Sequence, residues 1–75
     1  MPAMQRVDSS SIQAIGYDPE RRRLYVRYVE SPQVYVYLDV PEWVHLELMQ
    51  SGSMGAYMNT HIKPNYEYTM VKRSA

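Results

Sequence analysis

Arg21, Arg22 and Arg23 are consecutive, and Tyr25 and Arg27 follow at alternate positions. Guanidinium groups interleaved with aromatic rings can track a phosphate backbone while bases stack on the rings. Lys63, Lys72 and Arg73 extend this basic patch if the end of the chain folds back. Arg21, Arg22, Arg23, Tyr25, Arg27 and Lys63 are therefore the candidate nucleic-acid contacts. The plainer reading of the same residues is a solvated turn and a polar strand face, which is what a short charge run usually is.

The segment Ser51-Gly52-Ser53-Met54-Gly55 joins two hydroxyls and two glycines to an expected helix start. Unpaired backbone N–H groups there carry partial positive charge and attract phosphate or carboxylate. Ser53 and Gly55 are thus a candidate anion-binding turn. In the competing reading Gly52 ends one helix, Ser53 caps the next, and Gly55 sits at the closest approach of the two helices. No Gly-Lys-Ser/Thr follows, so the segment is not a Walker loop.

Catalytic and metal chemistry find little support. His45 and His61 lie on different expected helices with no paired Cys or carboxylate at ligand spacing, and the chain has no Cys. His45-Leu46-Glu47 has the His-x-Glu form used by zinc deaminases, but the Cys pair that chemistry requires is absent. Ser9, Ser10 and Ser11 offer hydroxyls without a flagged base. The expectation is a protein that is not an enzyme and holds no metal or cofactor.

Seventy-five residues make one small domain with too little volume for a deep cavity beside a core. Eight basic and eight acidic side chains balance to zero, which disfavours strong polyanion binding outside a local patch. No apolar run is long enough to span a membrane, and the first residues lack the apolar core of a secretory signal. Together with the missing cysteines this leads us to expect a cytoplasmic protein with no membrane partner.

The elements that must position these groups follow from periodicity. Residues 11–17, 23–29 and 34–38 alternate or are rich in β-formers, and Asp18-Pro19 and Ser31-Pro32 break them with turns. Gly16 reads as a bulge. Leu24, Val26 and Tyr28 share one face, which leaves Tyr25 and Arg27 on the other, expected to face solvent. Pro41-Glu42 opens a helix over residues 42–50, and Ser53 caps a second over 54–62. Residues 66–71 alternate again and suggest a further short strand. The expected fold is α+β: a three-stranded antiparallel sheet followed by a two-helix hairpin packed on one face. Residues 1–8 are expected to form a flexible arm, 9–71 the domain and 72–75 a flexible tail.

Leu24, Val26, Val44, Leu48, Met58 and Ile62 should form one contiguous core. The first helix has a second apolar side. Val40, Val44 and Leu48 make one stripe, while Trp43 and Leu46 project from nearly the opposite direction at about 100° per residue. Trp43 and Leu46 either rest on the sheet edge or form a surface for a protein partner or a second copy.

Ser9-Ser10, Gly16-Tyr17-Asp18, Leu24-x-Val26-x-Tyr28, Tyr35-x-Tyr37, Val40-Pro41, Ser53-x-Gly55-x-Tyr57-Met58-Asn59, Ile62 and Tyr66 together resemble the KTSC domain. That domain occurs at the C-terminus of some lysyl-tRNA synthetases and as a free-standing bacterial protein. The resemblance covers residues 7–66. It implies no catalytic residues and no established function, and through the synthetase association it points to weak RNA binding. Ser31-Pro32 stands where a Gly-containing turn is usual in that family, and His45 where an aromatic is common. The reading carried forward is a small non-catalytic binding domain for RNA, with protein interaction or homodimerisation as the alternative.

Overall fold

β-branched and tyrosine side chains at alternate positions favour extended backbone, and they do so here in the expected places. The computed structural model describes residues 1–72. The strands are β1 (Gln5–Arg6), β2 (Ile12–Asp18), β3 (Arg23–Tyr28), β4 (Gln33–Tyr37) and β5 (Tyr68–Lys72). Helix α1 (Glu42–Gln50) and helix α2 (Met54–Tyr57) lie between β4 and β5, and α2 runs on into a π-helical turn, Met58–Ile62. The sheet therefore has five strands, not three, in the order β1-β2-β3-β4-β5, every pair antiparallel. Both additional strands are edges. β1 has two residues, too few for periodicity to show, and β5 returns beside β4 only after the helices. Arg73 and residues 74–75 of the expected tail lie outside the described residues.

Each turn has a local cause. The Asp18 carboxylate accepts from the backbone N–H groups of Glu20 (3.0 Å) and Arg21 (3.3 Å), an Asx turn that reverses the chain into β3. Arg22 and Asp39 adopt left-handed backbone, φ 56° and 57°. The Val40 N–H donates to the Arg22 carbonyl (2.8 Å), tying the first hairpin to the entry of α1. Ser51, not a left-handed glycine at Gly52, ends α1: its hydroxyl donates to the Leu48 carbonyl at 2.8 Å, and among the described residues no glycine has positive φ.

The two faces of the sheet bury two clusters. On the helix side, Leu24, Val26, Val44, Leu48, Met58 and Ile62 form the expected single core, with Ile12, Ile15, Tyr37 and Val40. On the other side, Tyr25, Val34 and Val36 pack with Met4 and Leu38. The segment expected as a flexible arm thus does two jobs. Gln5–Arg6 pairs with β2, and Met4 roofs the face that was expected to be open. Gly16 is not a bulge. It pairs regularly with Tyr25, and the register shift falls between Ile12 and Ala14. Its missing side chain is what admits the arm: a Cβ there would lie 2.8 Å from Met4 Sδ and 2.9 Å from the Ala3 carbonyl oxygen.

Ser53 caps α2, its hydroxyl accepting from the Ala56 N–H at 3.2 Å. Ser53→Ala should therefore lower stability by about 0.5–2 kcal/mol in a denaturant melt. A loss below this range would mean that solvent replaces the hydroxyl at no cost. Gly55 does not mark the closest helix–helix approach. A Cβ at that position would meet the Ser11 hydroxyl at 2.8 Å, so the glycine makes room for the loop before β2. Among the described residues no helix is long and apolar enough to cross a membrane.

Candidate functional site

Alternation along three strands brings four tyrosines to one place. Tyr35 and Tyr37 of β4 share a face, Tyr28 sits on the same face of β3, and Tyr68 lies opposite Tyr37 on β5. The rings meet around Tyr35: 5.2 Å to Tyr28, edge-on, and 5.3 Å to Tyr68 between centroids. Tyr37 lies 5.8 Å from Tyr68. The helices cover β2, β3 and Tyr37 of β4 on this face, and leave the β5 edge open, so Tyr68 remains 54% exposed.

Lys63, on the turn after the π-helical segment, forms the opposite wall, with Nζ 5.2 Å above the Tyr28 ring. A cleft of about 610 Å³ lies between Tyr28, Tyr35, Lys63, Ser10, Ser11 and Glu30. A smaller one of about 210 Å³ lies between Tyr35, Tyr37, Tyr68 and Lys63. The two share Tyr35 and Lys63 and form one trough floored by phenol rings. The π turn helps to set its wall, because the Lys63 N–H reaches back to the Met58 carbonyl (2.8 Å) rather than completing an α-helical turn.

Two phenols of the floor, Tyr28 and Tyr37, stay uncharged at neutral pH. Tyr28 and Tyr37 share a hydrogen bond between hydroxyls, 2.9 Å. Burial first, then the neighbouring Tyr37 hydroxyl, pushes the Tyr28 phenol above its ordinary range. Burial also raises Tyr37, partly offset by its bond to Tyr28. An aromatic floor with one lysine on its wall can stack flat rings and hold one anionic group.

The structure does not bring the expected basic residues together. Lys63 is at the Tyr28 end of the sheet, while Arg21, Arg22 and Arg23 are at the opposite end of β3, about 17 Å along the strand. Arg21 is engaged by Asp18 at 3.3 Å. Residual desolvation opposes ionisation of Asp18, but the hydrogen bonds from Arg21 and Glu20 and the Arg21 charge outweigh it and hold the carboxyl below its usual range. Tyr25 does not face solvent: only 8% of it is exposed beneath the N-terminal segment. Arg27 is half-buried on the same face, with Nε enclosed and without a hydrogen-bond partner. Both lie on the face away from the helices, as their alternation with Leu24 and Val26 requires. What covers that face is not legible in the sequence, because a two-residue strand leaves no periodic signal.

At the Ser53–Gly55 turn the Ser53 hydroxyl is committed to the cap, and Asp8 lines the same cleft as Ser51, Gly52 and Ser53. An acidic residue at a helix start works against a bound anion. Trp43 and Leu46 are 60% and 51% exposed, so α1 does not bury its second apolar side on the sheet edge. Beside Trp43, Tyr57 donates to the Glu47 carboxylate at 2.7 Å. Burial, then that bond and the Glu47 charge, pushes the Tyr57 phenol up to about 12. The histidines have packing roles: His45 stacks on Tyr17 at 4.8 Å, and His61 lies 4.6 Å from the Tyr57 ring.

Sequence reasoning named Lys63 but missed the trough around it. The tyrosines were visible one by one, and the alternation at 66–71 was visible too. Only the pairing of β5 with β4 sets Tyr68 beside Tyr35 and Tyr37.

Comparison with known proteins agrees with this architecture. A Tsukamurella paurometabola protein is 38% identical over 63 residues, covering 84% of this chain and 92% of its own length. An uncharacterised protein of Stutzerimonas stutzeri is 40% identical over 68 residues, 87% of this chain and 94% of the other. The crystal structure of a KTSC domain protein from Yersinia pestis superposes with a TM-score of 0.89 at 35% identity, covering 95% of this chain and 99% of that one. The KTSC domain family itself matches residues 8–66, a span that takes in β2, β3, β4 and both helices. The chain belongs to the KTSC domain family.

Proposed function

We propose that this domain is a non-catalytic binding module and that its ligand is single-stranded RNA held in the tyrosine trough. The observation that carries the reading is the convergence of Tyr28, Tyr35, Tyr37 and Tyr68 with Lys63 on two adjoining clefts. Base–aromatic stacking contributes about 1–3 kcal/mol per base and tolerates any sequence. A lysine at the wall supplies one phosphate contact. The association of KTSC domains with some lysyl-tRNA synthetases points the same way. With zero net charge and one lysine at the trough, the binding is weak and moderately salt-dependent.

Titrating a labelled oligoribonucleotide at two salt concentrations tests this. Lys63→Gln should flatten the slope of log K against log salt by about 0.7, the contribution of one phosphate contact on a single strand. Tyr35→Leu keeps the floor apolar and should cost about 1–3 kcal/mol of binding. Arg22→Glu, at the far end of β3, should change affinity little. Absence of binding at low salt, or wild-type affinity in both trough variants, would sink the reading. The exposed Trp43 and Leu46 support the second one, a protein partner on α1.

A further inference from the structure

We infer that β5 is a self-complementary edge through which two copies of this chain pair into one continuous ten-stranded sheet. The Leu38 N–H donates to the Glu67 carbonyl at 2.9 Å, in the same register that pairs β4 with β5. Antiparallel pairs alternate between hydrogen-bonded and non-hydrogen-bonded. Val36/Thr69 and Val34/Val71 are therefore bonded pairs, and Tyr37/Tyr68, Tyr35/Met70 and Gln33/Lys72 are not. The N–H and C=O groups of Tyr68, Met70 and Lys72 point away from β4.

Those outward groups sit on the first, third and fifth residues of a five-residue strand. Such a strand is symmetric about its middle. A second copy running antiparallel, with the two-fold axis at Met70, sets Met70 against Met70 and Tyr68 against Lys72 of the other copy. Every outward donor and acceptor of β5 then meets its complement. Thr69 faces Val71 on the other side of the sheet. The pairs at the centre of the seam are compatible: thioether with thioether at Met70, and β-branched with β-branched at Thr69 and Val71.

The devices that normally protect an edge are missing from the body of this one. It has no proline, its register with β4 has no shift, and it exposes 48% of Met70 together with Tyr68 and Val71. Zero net charge adds no long-range repulsion between copies. The other edge, β1, has only two residues. A two-fold axis through a bonded antiparallel pair stands perpendicular to the sheet. Both tyrosine troughs therefore lie on the same face, side by side across the seam.

Sedimentation over a concentration series, without RNA, tests the pairing independently of the ligand reading. The wild-type chain should show a reversible monomer–dimer equilibrium. Met70→Lys puts like charges opposite each other and should raise the dissociation constant by about tenfold or more. Met70→Pro removes an outward N–H that β4 does not use, so it should block dimerisation and melt where the wild-type chain melts at concentrations low enough to keep it monomeric. Val29→Lys, exposed but away from β5, should dimerise normally. A wild-type chain that stays monomeric throughout, or a Met70→Lys chain that dimerises like wild type, overturns the inference.

Discussion

Leu48→Ala should lower the unfolding free energy by about 2–5 kcal/mol, which would take much of the stability of a domain this small. Leu48 is fully buried in the helix-side core, where it packs with Val44, Met58 and Ile62. Its cluster takes in residues of α1, the π turn and the sheet, so truncation leaves a cavity among three elements. For a domain of this length each kcal/mol moves the melting temperature by about 4–8 °C. Leu46→Ala removes the same atoms two positions earlier on α1, where the side chain is half exposed. It should change stability by less than about 0.5 kcal/mol. Thermal melts of the two variants make the comparison internal to one helix. Equal losses would mean that helix propensity or the unfolded state, and not burial, governs both.

That contrast also shows what the sequence could specify. The Val40, Val44 and Leu48 stripe was legible because its spacing is local, and the structure buries all three. The same holds for β2, β3 and β4, whose alternation survives in their registers, and for the Ser53 cap. Properties that depend on distant partners were not legible. Tyr25 alternates to the face away from the helices as expected, yet it is buried, because Met4 crosses that face. Gly16 looked like a bulge because glycine in a strand usually marks one. Here it marks the crossing point of another segment. The basic groups were joined by their proximity in the sequence at Arg21–Arg23 and by assumption at Lys63. The folded chain sets them at opposite ends of β3.

The corrected burial changes what mutations on that face can report. Substituting Tyr25 or Arg27 disturbs packing beneath the N-terminal segment before it tests any ligand. Removing that segment's seat is cleaner, and Gly16→Ala does so with one methyl group. The new Cβ would sit 2.9 Å from the Ala3 carbonyl oxygen, and backbone cannot turn aside as the end of a side chain can. The arm must shift away. The pairing of Gln5 and Arg6 with β2 then loosens, and Tyr25, Val34 and Val36 lose their cover. Overpacking of this kind costs about 1–3 kcal/mol.

The cause can be isolated by repeating the substitution in a chain that begins after Arg6. If Gly16→Ala acts through the arm, it should cost the full chain about 1–3 kcal/mol and the shortened chain almost nothing. The difference is then the coupling energy between residue 16 and the arm. Equal losses in both backgrounds would place the cost in β2 itself. The same pair of chains bears on the ligand site. Uncovering Tyr25 and Arg27 should leave RNA affinity unchanged if the trough at Tyr35 and Lys63 holds the ligand. A marked gain in affinity on removing the arm would move the site to the far face of the sheet, with the arm as its cover.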